Sequence, residues 1–548
     1  MTTRLPTTAG HRGFATFIAL ILVVMLTLLG IAALSTSDDE MKIAGNELHE
    51  MKAFYAAEAG LADAAAAMRY EYDSTGLPPA VLPSGTSNLN NCLVTFTTAD
   101  DGAASPRILT SGTLAGLHAL VKSFTITSEA ENLQDGAKVT LSQSFEVALV
   151  PLFQFAVFYD NDLEIAPGPE MNLIGRVHSN GNMYLQSNNT LRMNSYVTAA
   201  GDIRHGRKGP GSAGYGDVQI KSASGAFVSM KQGSGWLDAG DPQWYDSSVG
   251  RWQGRVQDAA HGQESLNLPL SQEAGGDPHR LIERAAGNVD SYENKATLKF
   301  IDGRAFQRVG GIWTDITADM TSRNIISSSD DKFYDQREKK WVDPMELDLG
   351  KLYDEGYGPA NGVIYFSDQT SDFPALRIKN ADELDGGLSV VSENPMYVVG
   401  NYNATDKKPA ALIADAITFL SSAWDDSKST LSKTQRVATT TVVNACYATG
   451  NVETTSSDYS GGFENLPRFL ETWNGKTLRW KGSAVNLWAS RQATGTWNGT
   501  YYDPPNRDWL YDTDLDDPYK LPPETPMIRV FQRSGWKQEH VGYADADF

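Results

Sequence analysis

The sequence predicts an α+β fold: a long N-terminal helix, transmembrane in its first part, followed by a mostly-β body that is β-solenoid-like with insertions. Three observations predict it. An uncharged apolar run, FATFIALILVVMLTLLGIAAL, fills residues 14–34. Proline-free sequence rich in Ala, Leu, Met, Glu and Lys continues to residue 72. Beyond it, short strand-like runs recur between Asn-Gly and Gly-Asp turns, the pattern of many brief strands.

Residues 1–13 form a short polar leader with Arg4, His11 and Arg12. The run bounded by Phe14 and Leu34 reaches roughly 30 Å as a helix, enough to cross a bilayer core. Arginines precede it and Asp38, Asp39 and Glu40 follow it, so the positive-inside rule puts the N-terminus in the cytoplasm and the rest of the chain outside. A secretory signal is the competing reading, but its apolar region is shorter and the small-residue site near Ala33 and Ser35 is poor. Leu48, Met51, Tyr55, Leu61, Ala65, Met68 and Tyr72 give residues 42–72 an apolar stripe. Gly76, Pro78 and Pro79 then end the helix, with Gly30 and Gly45 as points where it loosens. The domain assignment begins with helix over 14–75.

Residues 76–150 alternate in polarity and predict a small antiparallel sheet, with strands at 93–98, 119–127 and 138–150, the last two joined at Asp135-Gly136. From Pro151 the runs shorten. Residues 151–205 and 356–500 are expected to form the solenoid-like body, in which rungs bury side chains against one another; no fixed period is visible, so an open sandwich is the alternative. Residues 206–355 are expected as an insertion with a hairpin at Asp302-Gly303. Its Trp236, Trp244, Trp252, Trp313 and Trp341 are expected to form its own core, with glycan or protein binding by exposed rings as the functional alternative. Residues 501–548 carry Pro504, Pro505, Pro518, Pro522, Pro523 and Pro526, and are expected to wrap the body as ordered loop.

The chain's 548 residues exceed what one core needs, and roughly two to four domains are expected. A net charge of −21 repels phosphate backbones, which argues against a nucleic-acid partner. The two cysteines, Cys92 and Cys446, exclude a disulfide-rich scaffold and a Cys-based metal site; a single bridge between them stays open.

No reaction motif survives inspection, no cofactor is called for, and a non-enzymatic role is expected. Gly475-Lys476-Thr477 lacks the upstream glycine of a phosphate loop, since that position is Leu470, and His49-Glu50 lacks the second zincin histidine at Ala53. His178 is expected to be a satisfied structural side chain. Asp512, Asp514 and Asp516 alternate as calcium ligands do, but the EF-hand glycine and glutamate are missing and a solvated acidic turn is the default. Asp160-Asn161-Asp162 is a weaker version of the same pattern.

Arg12-Gly13-Phe14 followed by an apolar helix resembles the processing site of a type IV prepilin. The runs LTLLGIAALSTSDDEMKIAGN (26–46) and FYAAEAGLADA (54–64) are similar to the N-terminal region of PilX-type minor pilins, the resemblance covering residues 12–68. MNLIGRVHSNGNMYL and KKPAALIADAITFLSSAW resemble, less specifically, the extracellular body of large PilX-like proteins. The resemblance implies cleavage between Gly13 and Phe14 by a prepilin peptidase, methylation of Phe14, and insertion in the inner membrane by one pass. The body would lie in the periplasm, and at the cell surface once assembled into a type IV pilus. Implied partners are minor and major pilins, the inner-membrane assembly platform and a tip adhesin. Major pilins carry glutamate at the fifth mature residue, which here is Ile18. The departure points to a subunit that primes or caps a filament, with possible adhesion by its body; a K-type pseudopilin of type II secretion is the alternative.

Overall fold

The computed structural model describes residues 12–209, 214–271, 276–455, 459–497 and 499–543; most of the leader expected at 1–13 lies outside them. Helix α1 spans Arg12–Thr75 without a break. It runs straight through Gly30 and Gly45, where the surroundings are open, because an i→i−4 ladder with no competing contact tolerates isolated glycines. It ends as expected at Gly76, whose left-handed backbone (φ +74°) lets its N–H bond Tyr72 O at 3.0 Å.

Five strands follow: β1 Ser84–Leu89, β2 Cys92–Asp100, β3 Ser105–Ile108, β4 His118–Asn132 and β5 Ala137–Pro151. They contain the three strands read from the sequence and pair antiparallel in the order β1-β2-β4-β5, with β3 also on β4. The far side of β5 is covered by the C-terminal strand Met527–Tyr543, whose register runs from Met527↔Pro151 to Tyr543↔Ala137. The expected C-terminal wrap is therefore half strand: the last proline is Pro526, and beyond it every residue can donate to the ladder.

The second half of α1 lies on this sheet. Ala53, Ala56, Ala57, Leu61, Ala64, Ala65, Met68 and Tyr72 are buried with Val94, Phe124, Ile126 and Phe145. Their three- and four-residue spacing makes one face. Leu48, Met51 and Tyr55 are instead half exposed. Tyr55 and Leu61 are six residues apart, about 600° of helix, a third of a turn off a common face. Small residues bring the helix close: a Cβ on Gly60 would lie 2.3 Å from Ser128 Oγ.

Everything between residues 152 and 526 is inserted between two neighbouring strands of that sheet. Leu152 N–H bonds Pro526 O at 2.8 Å where the chain leaves and returns. The body's strands stack in parallel ladders. In its first part three successive turns are in register at twenty-residue steps: Phe158, His178 and Thr198 in one ladder, and Leu163, Met183 and Ile203 in the next. Asp162 Oδ1 accepts the N–H of Asn182 at 2.7 Å, and Asn182 Oδ1 that of Asp202 at 2.9 Å, a side-chain stack along this corner.

The second part runs inward from Leu298–Ile301 through Val363–Ser367, Leu388–Ser392, Ala410–Ala414 and Cys446–Thr449 to Ala484–Asn486, which pairs with Phe155–Tyr159. The chain thus enters and leaves the stack at its middle. Much of the expected insertion at 206–355 belongs to these ladders: Asp217–Lys221 pairs with Thr190–Met193, Val256–Gln257 with Val197–Ala199, and Lys340–Asp348 with Pro374–Lys379. Its Trp244 and Trp252 are buried in the core shared by the whole stack, while Trp341 is 43% exposed. The Asp302-Gly303 hairpin forms as expected, with both residues at positive φ.

Candidate functional site

The first half of α1 has no partner in the chain. Every side chain from Phe14 to Ala44 is exposed, including Phe14 at 68%, Ile18 at 44% and Leu34 at 72%. A water-facing apolar surface of this length is not tolerated by a lone soluble domain; it calls for lipid or other helices. Two hydroxyls on this half of the helix are satisfied internally, Thr27 Oγ1 donating to Val23 O at 2.7 Å and, just past the run, Thr36 Oγ1 to Ala32 O at 3.0 Å, as hydrocarbon requires. Charge begins with Asp38, paired to Lys42 at 2.7 Å. The end of the helix is clamped to the rest of the molecule by Asp73–Arg529 (2.9 Å) and Arg69–Glu264 (3.0 Å), and its middle by His49–Asp135 (2.6 Å).

The other residues singled out in the sequence are not brought together. Cys92 and Cys446 are both free and buried. Cys92 packs between helix and sheet and Cys446 in the separate core on the outer face of the long ladder, so the bridge left open above does not form; burial pushes both thiols up. Asp512, Asp514 and Asp516 do not converge on a cation. Lys407 pairs with Asp512 and Asp514, Lys481 with Asp512 and Lys520 with Asp514, while Asp516 accepts from Tyr511 at 2.9 Å. Hydrogen bonding from Lys407, then Lys520, holds the Asp514 carboxyl down at about 2. The spacing resembled a calcium loop, but lysines distant in sequence occupy the oxygens. Among the described residues no group of three or more His, Cys, Asp or Glu is placed to hold a metal.

His178 is buried between Thr198 (2.8 Å) and Asn180 (2.9 Å), and burial lowers its pKa to about 4. One arrangement escaped the sequence. Ser248 Oγ lies 2.7 Å from His261 Nε2, and His261 Nδ1 lies 2.8 Å from Asp258 Oδ1, the connectivity of a nucleophilic triad. Ser248 and Asp258 have no exposed surface, Tyr245 stacks on the imidazole, and Ser248 also donates to Tyr245 O. The three side chains hold Trp244–Trp252 to the following turn, and a substrate has no approach to the hydroxyl.

A helix that is apolar and exposed in its first half and docked on an antiparallel sheet in its second is compatible with a membrane-anchored subunit. The family comparison narrows this: residues 12–62 match the PilX N-terminal model, so this segment is similar to the N-terminal region of PilX-type proteins. The crystal structure of the competence-associated pilin ComZ from Thermus thermophilus is similar over 90% of this chain and 98% of that one, at 12% identity and a TM-score of 0.28, too low to carry an argument. The search of curated proteins returned no match.

Proposed function

We propose that this chain is a non-enzymatic minor pilin that anchors in the inner membrane, is processed between Gly13 and Phe14, and then enters a filament at or near its tip. The observation that carries this is the apolar helix surface from Phe14 to Leu34, exposed along its whole length. In lipid that surface is satisfied; on extraction it needs sister helices, whose packing supplies equivalent contacts. Two features favour the tip. Ile18 offers no carboxylate to a neighbour's terminal amine, so docking into a shaft lacks that ion pair. The body inserted at residues 152–526 also presents a bulky surface that a repeating shaft would have to accommodate at every subunit. Prepilin peptidase, the assembly platform and other pilins are the partners of this reading, and a tip adhesin a further one.

Mass spectrometry of the mature N-terminus tests the processing step. The expected species begins at methylated Phe14; an intact Met1, or a cut near Ser35, overturns it.

A further inference from the structure

On the body, a cleft of about 280 Å³ opens between Arg207, Tyr459, Asn465, Trp497, Tyr502 and Arg507. It brings two arginines that are not ion-paired together with three aromatic rings. Arg284, Arg304, Arg323, Arg377, Arg468, Arg491 and Arg529 are each ion-paired to a carboxylate. Arg207 and Arg507 have no such partner among the described residues, and the Nε of each is buried and unbonded. Two carboxylates line the cleft and both are engaged: Glu464, buried, accepts the Ala166 N–H at 2.8 Å, and Asp503 is paired with Lys433 at 2.6 Å. The guanidinium of Arg207 is held over the Tyr459 ring at 4.8 Å, and Tyr459 meets Trp497 edge to face at 5.4 Å. Trp497 Nε1 donates to Tyr502 O–H at 2.8 Å, and that hydroxyl donates to Asn465. Among the described residues neither guanidinium is in direct ion-pair contact: the buried Glu164 and Glu464 act on them only at longer range, Arg507 donates to the backbone oxygen of Glu464 at 3.2 Å, and both stand beside a pre-arranged aromatic rim.

We infer that this cleft binds a carboxylated sugar, the guanidiniums taking the carboxylate and the Tyr459–Trp497 rim the apolar face of the ring. Planar guanidiniums match a carboxylate with paired hydrogen bonds. Aromatic rims offer flat apolar area without losing side-chain entropy. The volume, at the low end for small-molecule clefts, takes about one sugar ring, which favours a terminal acidic residue over an extended peptide. The inference rests on the reading that the body stands outside the cell, where such glycans occur.

The test is ligand-observed NMR and calorimetry on the purified full chain in detergent. The probes are methyl α-sialoside and methyl glucuronide, with the methyl ester and methyl glucoside as neutral counterparts and a glutamate-rich peptide as the competing class. The expected result is saturable binding of an acidic sugar, weakened roughly tenfold or more by esterification and similarly by Arg207→Gln, Arg507→Gln or Trp497→Ala with unchanged melting temperature. The esterification arm needs no variant, so a substitution that fails to fold leaves the question answerable. No saturation by either acidic sugar at millimolar concentration overturns the inference, as does equal binding of the neutral sugars or tighter binding of the peptide. The measurement involves neither membrane nor filament, so its failure leaves the pilin reading standing, and mis-assigned processing leaves the cleft result standing.

Discussion

A Cβ added to Gly60 would meet Ser128 Oγ at 2.3 Å and Val94 Cγ1 at 2.8 Å. The residue closes the Ala-Glu-Ala-Gly segment on which the family resemblance partly rests, and its physical reason is this approach of helix to sheet. Gly60→Ala gains helix propensity of about 1 kcal/mol but forces the helix off the sheet, and a net loss of about 1–2 kcal/mol is expected. Adding Ser128→Ala should recover part of it, read as thermal or urea midpoints; a stabilised Gly60→Ala would show that the contact relaxes freely. Glu164 makes a pH prediction. Both its carboxyl oxygens are buried without a partner, and burial, then the neighbouring Glu464, pushes its pKa from 4.5 up to about 7. Between those values the unfolded chain has lost the proton and the folded chain still holds it. Stability from this group therefore falls as pH rises through that window and is level above it. Glu164→Gln should flatten the dependence and stabilise the protein at pH 8 by on the order of 3 kcal/mol. An unchanged melting curve between pH 5 and 8 on substitution would count against the burial argument.

Among the elements, the C-terminal strand matters most to the N-terminal module. It completes the sheet along β5, sets Phe531 against Tyr72 and Phe145 at 5.9 and 5.7 Å, and supplies Arg529 to Asp73. A chain ending at residue 526 should lose the docking of α1, visible as rapid proteolysis between residues 53 and 72; the intact chain's cleavage pattern in the truncated protein would contradict this. Such a role was not legible beforehand, because six prolines up to Pro526 masked the alternating MIRVFQRSGWKQEHVGY that follows. The helix was legible, since an uncharged run and a 3.6-residue period are local signals. Which of its apolar residues face the sheet was only half legible: Leu61 to Tyr72 are buried, but alanines, not Leu48, Met51 and Tyr55, continue the face. The twenty-residue step was hidden because three turns are few and the stacked positions exchange freely, Leu163 for Met183 for Ile203 and Asp162 for Asn182 for Asp202. Arg207 and Arg507 were not legible as a pair at all, since three hundred residues separate them and only the tertiary fold brings them to one cleft.

For the whole molecule, the arrangement separates two tasks. The module of α1 and its sheet carries the apolar segment, and the body hangs from two adjacent strands of that sheet, so its size can vary without disturbing the helix. A body that enters and leaves the rung stack at its middle keeps both connections beside the module. Cys92 and Cys446 are buried and poor labelling targets, which makes the native chain a low-background host for added cysteines. Leu26→Cys and Asp39→Cys, treated in native membranes with a membrane-impermeant maleimide, test most directly whether the apolar half of α1 lives in lipid. The account predicts that Asp39→Cys labels from the outer side only and that Leu26→Cys labels only after the membrane is dissolved and the chain unfolded; ready labelling of Leu26→Cys in intact membranes would contradict it.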